Sequence, residues 1–159
     1  MGDVSWSPPP DIRQDFDDTC WAAVIEAFCA ASPGRPKVKQ GDIVDQYGSQ
    51  CYSRTDGTMT RKGLHLLFSD VRFGLKSTEV APGAFSALLV SQKLGRGLVP
   101  IGYWESRIGG WHVALIYGIA GSTVSYQDPD FAHGGRRLTS TSHFRPASKG
   151  NLIVAWRAW

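Results

Sequence analysis

The sequence predicts an α+β fold in which an N-terminal helical lobe packs against a C-terminal antiparallel β-sheet. Stretches of helix-forming residues occupy the chain up to Leu94. Four apolar or aromatic runs follow Gly97, and each is bounded by Gly, Ser, Asp or Pro, which is the pattern of strands. Because the helices precede the strands rather than alternate with them, the two layers are expected to be segregated along the chain.

The first helix is predicted over residues 19–31, whose string TCWAAVIEAFCAA is rich in helix formers. It ends before the SPG tripeptide at 32–34, and the DDT tripeptide at 17–19 is expected to cap its N-terminus. Further helices are predicted over 40–47, 60–70 and 83–94.

The four runs after Gly97 are predicted as strands over 98–104, 111–119, 122–128 and 151–159. Residues 118–122 are expected to form the turn of a hairpin between the second and third of these strands. That hairpin would place residues of both strands side by side.

A chain of 159 residues is long enough for one domain with a hydrophobic core. Residues 1–13 carry three consecutive prolines and little apolar patterning, so they are predicted to be an extended arm or the remnant of a linker. Residues 14–159 form the predicted domain, which we expect to be a monomer.

The composition argues against several classes of protein. Seventeen Lys and Arg against 14 Asp and Glu give a net charge of +3, and the scattered basic residues do not indicate nucleic-acid binding. No run of about 18 apolar residues predicts a membrane span, and residues 1–18 lack the pattern of a secretory signal. Three cysteines without metal-ligand spacing favour a reducing compartment over a disulfide framework. We predict no metal and no cofactor.

Cys20 lies in the first turn of the first predicted helix. The unpaired backbone N–H groups and the helix dipole at this position favour a thiolate, which is the form that acts as a nucleophile. The alternative is a small buried cysteine, which is our expectation for Cys29 and Cys51. Nine residues at about 100° each put Cys29 half a turn away, so it faces the opposite side of the helix from Cys20.

His112 begins a predicted apolar strand directly after two glycines, in the string GGWHVALIYG. A thiolate needs a proton acceptor and a positive neighbour, and an imidazole provides both near neutral pH. The strand would fix the orientation of the ring. The other histidines lie in a predicted helix or beside loops and are expected to be surface or core residues: His65, His133 and His143.

Asp128 ends the third predicted strand and precedes Pro129. The hairpin would carry its carboxylate to the second nitrogen of His112, where a carboxylate fixes the tautomer and stabilises the imidazolium. The alternative is a simple turn, which is the usual role of an Asp-Pro pair. Gln14 stands six residues before Cys20, and its amide could donate to an oxyanion while the Cys20 backbone N–H supplies a second donor.

The motifs QDFDDTCWAA at 14–23, GWHV at 110–113 and QDP at 127–129 occur in the order Gln, Cys, His, Asp. In this order they resemble the papain-like cysteine peptidases. The likeness is to compact bacterial members of that superfamily: effector peptidases, toxin domains of interbacterial systems and bacteriocin leader peptidases. The chain departs from lysosomal members, because the pair before Cys20 is Asp-Thr rather than Gly-Ser and the interval from Cys20 to His112 is shorter.

The resemblance implies a papain-like fold and a role for each motif residue. Gln14 would line the oxyanion hole, Cys20 would attack, His112 would be the general base and acid, and Asp128 would orient it. Three further residues would border the cleft and bind an extended peptide, although a Trp is as often a core residue: Trp21, Gly110 and Trp111.

The sequence therefore predicts a cysteine endopeptidase with a Cys-His-Asp triad that cleaves a protein or peptide. Two alternatives stay open, namely a deamidase or transglutaminase with the same triad and a non-catalytic peptide-binding domain. By the resemblance the protein would be a bacterial toxin or effector, delivered by a dedicated secretion system and active in the cytoplasm of a target cell. An immunity or inhibitor protein would be its partner.

Overall fold

The computed structural model describes residues 2–51, 60–130, 132–145 and 149–159. In these residues the fold combines four helices with a seven-stranded sheet, and short 3-10 turns follow two of the strands. The helices are α1 (Cys20–Ala31), α2 (Gln40–Cys51), α3 (Arg61–Phe68) and α4 (Ala87–Leu94). The strands are β1 (Val4–Ser5), β2 (Leu75–Val80), β3 (Val99–Glu105), β4 (Gly110–Ala120), β5 (Thr123–Asp128), β6 (Gly135–Ser140) and β7 (Leu152–Arg157). The predicted α+β class is confirmed.

The sheet is antiparallel throughout its described strands, in the order β2-β7-β3-β4-β5-β6, with β1 also paired to β4. The predicted hairpin joins β4 to β5 around Gly121, whose φ of 58° lies in the left-handed region that glycine adopts without strain. This hairpin, together with the β3–β4 pair, builds the part of the sheet that carries the candidate site.

Helices cover both faces of the sheet. α1, α2 and α3 form one core with alternate residues of β4 such as Val113 and Leu115. α4 forms a second core with the residues between them, Ala114 and Ile116. Because β4 is buried on both faces, its sequence is a continuous apolar run rather than an alternating one.

The helix α1 is almost entirely enclosed, and ten of its residues are buried. The predicted side-chain cap is wrong, because Thr19 makes no capping hydrogen bond. Its hydroxyl instead accepts from the backbone N–H of Phe16 at 3.1 Å and donates to the Phe16 carbonyl at 3.0 Å. The N–H groups at the start of α1 are therefore left without a side-chain acceptor from this residue.

Three strands and one helix differ from the prediction. The strands β1, β2 and β6 were not expected, and two of them precede β3, so the separation of helices and strands along the chain is incomplete. The predicted helix 83–94 begins only at Ala87, because Pro82–Ala84 forms a 3-10 turn and the Ser86 side chain caps α4 by accepting from the N–H of Leu89 at 3.2 Å.

The segment before residue 14 contacts the sheet. Val4 pairs with Ile119, and the backbone N–H of Trp6 donates to the carbonyl of Tyr117 at 2.8 Å. The division into an arm and a domain stays a prediction. In the part of the chain that the structure describes, no helix has the length and apolar character needed to cross a membrane.

Candidate active site

Three of the predicted residues meet although they lie on three separate elements. Cys20 is the first residue of α1, His112 lies near the start of β4, and Asp128 ends β5. The Nε2 atom of His112 donates to Oδ1 of Asp128 at 2.7 Å. The Cys20 sulfur is close enough to the same imidazole to raise its pKa. Since Nε2 is engaged by Asp128, Nδ1 is the ring nitrogen that remains for the sulfur.

The β4–β5 hairpin explains how Asp128 reaches His112. Its register pairs Leu115 with Gln127. Because paired antiparallel strands run in opposite directions, the end of β5 lies beside the segment of β4 that carries His112. The turn at Gly121 and the register together bring the two side chains to the same end of the sheet.

Burial and neighbouring charges have opposite effects on the pKa values of His112 and Asp128, which are only 2% and 1% exposed. Burial lowers the pKa of His112, but the Cys20 sulfur and the Asp128 carboxylate outweigh it and raise that pKa above its ordinary value. Burial raises the pKa of Asp128, whereas the bond from His112 and the charge of Arg107 bring it below its ordinary value. The site therefore favours an imidazolium held between a carboxylate and a sulfur that can carry negative charge.

The other two cysteines lie in a different environment. Burial raises the pKa of both Cys29 and Cys51 to about 12, so both are neutral thiols near neutral pH. No disulfide involves them or Cys20. Cys20 is thus the cysteine that the fold places beside an imidazole.

Gln14 is buried and lies on the segment that leads into α1. Its backbone N–H donates to the carbonyl of Pro129 at 2.8 Å, which ties it to the residue after Asp128. Its side-chain Nε2 donates to the Phe16 carbonyl at 2.8 Å, and the second hydrogen of this amide is left over. Within the described residues the backbone N–H of Cys20 has no hydrogen-bond partner. These two donors are the ones that the oxyanion prediction needs.

The predicted peptide-contacting residues have different surroundings. The Trp21 indole is 1% exposed and donates to the Asp18 carbonyl at 2.7 Å, although the residue also lines a surface groove of about 410 Å³. Gly110 is buried and pairs with Glu105 in the sheet. Trp111 is half-buried, and its ring lies edge-on to that of Trp104 at 5.9 Å. Trp111 therefore offers more surface to a ligand than Trp21 does.

Sequence reasoning missed Arg107, which contacts Asp128 from the turn between β3 and β4. Its Nη2 donates to Oδ2 of Asp128 at 3.2 Å. It also missed the buried Glu105, which accepts from the Tyr103 hydroxyl at 3.0 Å and from His143 at 3.1 Å. The one available signal was an arginine in a short turn directly before the GWHV motif, and such an arginine is usually a solvated surface residue.

No group of three His, Cys, Asp or Glu side chains is placed to hold a metal ion within residues 2–51, 60–130, 132–145 and 149–159.

No family model and no curated protein matches the sequence. Solved structures do match the fold. A C39-like peptidase from Bacillus anthracis is 13% identical with a TM-score of 0.59, and the match covers 98% of each chain. The peptidase domain of Streptococcus ComA, a bifunctional ABC transporter involved in quorum sensing, is 13% identical with a TM-score of 0.57 over 90% of this chain and 93% of that one. A double-glycine-motif protease from an AMS/PCAT transporter, solved with its leader peptide, is 17% identical with a TM-score of 0.52 over 98% and 97%. The chain therefore has the fold of the papain-like cysteine peptidases, in the form seen in C39-like peptidases.

Proposed function

We propose that this protein is a cysteine peptidase that cleaves peptide bonds in a protein or peptide target through Cys20, His112 and Asp128. The observation that carries the proposal is the meeting of a helix-start cysteine with a buried His–Asp pair in a papain-like fold. A buried imidazole with a raised pKa, between a sulfur and a carboxylate, suits the formation of a thiolate nucleophile.

In the proposed reaction the Cys20 sulfur attacks the carbonyl carbon of the substrate and forms a tetrahedral oxyanion. The Cys20 N–H and the Gln14 amide donate to that oxygen. The intermediate collapses as His112 protonates the leaving amine, which leaves a thioester on Cys20. His112 then takes a proton from water, whose oxygen attacks the thioester and releases the acid with the thiol restored. Asp128 holds the imidazole in position throughout.

The test compares the wild type with Cys20→Ala on a library of peptides derived from bacterial proteins, with new termini identified by mass spectrometry. The wild type is expected to generate new termini and C20A is expected to lose several powers of ten in rate. Cys29→Ala is the matched control, because Cys29 is an equally buried cysteine of the same helix. Full activity in C20A would contradict the proposal.

The same experiment separates the alternatives that share the triad. A deamidase would change the mass of a glutamine side chain, and a transglutaminase would join an amine to it, each without a break in the backbone. A peptide-binding domain without catalysis would retain peptides and leave them unchanged. Either result would replace the peptidase proposal.

The proposed substrate has small residues before the scissile bond. The support is the sequence resemblance to bacteriocin leader peptidases together with the fold of a protease that acts at a double-glycine motif. Peptides with Gly-Gly, Gly-Ala and Leu-Leu before one common bond would test it. Comparable kcat/KM values for the three would exclude this preference.

The role as a toxin or effector, with action in the cytoplasm of a target cell, is a further part of the proposal. It is supported by the resemblance of the sequence motifs to compact bacterial effector and toxin peptidases. Expression of the wild type inside a bacterium should arrest growth while C20A does not, and an immunity protein should relieve the arrest. Normal growth with the folded, active wild type would contradict a toxin role inside bacteria.

A further inference from the structure

Arg107 reaches the candidate site from the turn between β3 and β4. Its Nη2 atom donates to Oδ2 of Asp128 at 3.2 Å, and its Nη1 atom lies 3.6 Å from Oδ2 of Asp130. The guanidinium thus links the β3–β4 turn to the segment that follows β5. Because it contacts the oxygen of Asp128 that does not face His112, it restrains the rotation of that carboxylate.

The turn that carries Arg107 is itself fixed by Glu105. The side-chain Oε1 of Glu105 accepts the backbone N–H of Arg107 at 3.0 Å. The Glu105 carbonyl accepts the N–H groups of Ile108 at 3.2 Å and Gly109 at 2.9 Å. Glu105 is only 4% exposed, and the Tyr103 hydroxyl holds its other carboxylate oxygen. The guanidinium is therefore presented from an ordered base rather than from a free loop.

Arg107 offsets the net negative charge of the proposed triad. A Cys20 thiolate, a His112 imidazolium and an Asp128 carboxylate together carry one net negative charge. His112 and Asp128 are almost fully buried, and an uncompensated charge in such a place is costly. The guanidinium of Arg107 offsets that charge, and it also lies 3.6 Å from the Asp130 carboxylate.

We propose that Arg107 is a positioning residue of the site: it holds Oδ2 of Asp128 so that Oδ1 stays aligned with Nε2 of His112, and it compensates the excess negative charge. The proposal of a positioning role in catalysis rests on the proposed peptidase function. The contact with Asp128 itself does not depend on it.

Other charged or titratable groups also face Asp128 or its neighbours. They come from the N-terminal segment, α1, β3, β4, β5 and the segment after β5: Arg13, Cys20, Tyr103, Glu105, His112, Tyr126 and Asp130. Arg13 is the other cation in this group, and its hydrogen bonds go to the Asp11 carboxylate and the Asp130 carbonyl rather than to the Asp128 carboxylate.

The experiment compares Arg107→Met and Arg107→Lys with the control Arg72→Met. Arg72 also pairs with a mostly buried carboxylate, that of Asp70 at 2.6 Å, and its other side-chain hydrogen bond goes to Gln46. Two activities are measured from pH 4 to 10: kcat/KM for peptide cleavage and the rate at which iodoacetamide alkylates Cys20, followed by mass spectrometry of the labelled peptide. Thermal unfolding is measured in parallel.

R107M is expected to lower kcat/KM roughly tenfold, a value reduced for the partial exposure of the guanidinium. The acid side of the pH–rate profile of Cys20 alkylation should move to higher pH by roughly half a unit to one unit, because the Asp128 carboxylate loses a cationic partner and the buried site becomes more negative. R107K should keep the acid side of the pH–rate profile near that of the wild type and lose less activity than R107M. A lysine keeps the positive charge but cannot contact Asp128 and Asp130 at the same time as a guanidinium does. R72M should lower the melting temperature and leave both activities unchanged.

The proposal would be overturned if kcat/KM of R107M fell only in proportion to the loss of folded protein and the acid side of its alkylation profile did not move. An R107M variant that matches R72M in both activities would overturn it too. If R107M does not fold, the proposal would also be overturned by an R107K variant whose kcat/KM and alkylation profile are both identical to those of the wild type. If the wild type cleaves no peptide but the alkylation limb still moves in R107M, the positioning inference is supported while the proposed peptidase function fails.

Discussion

Asp128→Asn is the substitution that tests the proposed triad most directly. The carboxylate uses Oδ1 to accept from His112 at 2.7 Å and from the backbone N–H of Asp130 at 3.0 Å, and Oδ2 to accept from Arg107 at 3.2 Å. An asparagine cannot reproduce this pattern. If its oxygen faces His112, its NH₂ group faces the guanidinium of Arg107. If it is flipped, the NH₂ group faces two other donors.

The expected loss follows from the bond that is weakened. A hydrogen bond to a charged group contributes about 1.5–3 kcal/mol. At 1.36 kcal/mol for each factor of ten, its loss in the transition state lowers kcat/KM by roughly tenfold to a hundredfold. The pair is almost fully buried, so solvent does not screen it.

The pH profile should change in a defined direction. The pKa of His112 in the folded protein is raised to about 10, burial notwithstanding, by Cys20 and Asp128. The imidazolium is present below that pKa and is lost as the pH rises through it, so activity should persist into the alkaline range. Without the carboxylate the same 1.5–3 kcal/mol corresponds to a pKa lower by about one to two units. The alkaline limb of D128N should move to lower pH accordingly.

The assay is kcat/KM for a cleaved peptide from pH 5 to 11, together with the pH dependence of Cys20 alkylation, which needs no substrate. Asp70→Asn is the matched control, because Asp70 is also a mostly buried carboxylate that accepts from an arginine and a tyrosine. D70N should lower stability and leave the limb in place. A D128N variant with the wild-type limb and a rate within threefold of the wild type would refute the orienting role of Asp128.

Three further predictions address other parts of the structure. Gln14→Ala should lower kcat/KM by a factor on the order of 10² to 10³, and a loss under threefold in steady-state kinetics would remove Gln14 from the oxyanion hole. Glu105→Gln should lower the free energy of unfolding at neutral pH. Burial raises the pKa of Glu105, but hydrogen bonds, first among them the one from His143, lower that pKa to about 2. The stabilisation by the Glu105 carboxylate is therefore present above about pH 4.5 and is lost as the pH falls toward 2. Denaturant titrations of both proteins should therefore converge in acid, and a constant difference would contradict this. Gly121→Ala should cost about 1 kcal/mol, because φ is 58° while the space around Cβ is open; an unchanged unfolding midpoint would argue against strain at this turn.

The sequence predicted the elements whose pattern is local. α1 has an uninterrupted run of helix formers, and the β4–β5 hairpin has two apolar runs around Gly121, so both could be placed without a tertiary context. β6 could not. It is an edge strand with the sequence GRRLTS, largely exposed, and it is a strand because β5 offers it a pairing partner.

The same distinction holds within the site. Cys20, His112 and Asp128 each follow or begin a recognisable element, so their element and position were open to prediction. Arg107 was not, because its importance depends on which carboxylate its turn comes to face. The cap of α1 failed for a similar reason: the Thr19 hydroxyl finds a better partner in Phe16, and sequence alone does not reveal that competition.

The end of β5 and the residue that follows it connect the two parts of the proposed site. On one side Asp128 accepts from His112, and on the other the carbonyl of Pro129 accepts the backbone N–H of Gln14. Gln127 strengthens this junction, because its amide donates to the Asp11 carboxylate at 2.6 Å. Gln14, the candidate oxyanion donor, is thus hydrogen-bonded to Pro129, the residue next to Asp128, for which we propose the orienting role. A shift of this segment would disturb both contacts, so the proposed roles of Gln14 and Asp128 are expected to be coupled although the two residues lie far apart in sequence.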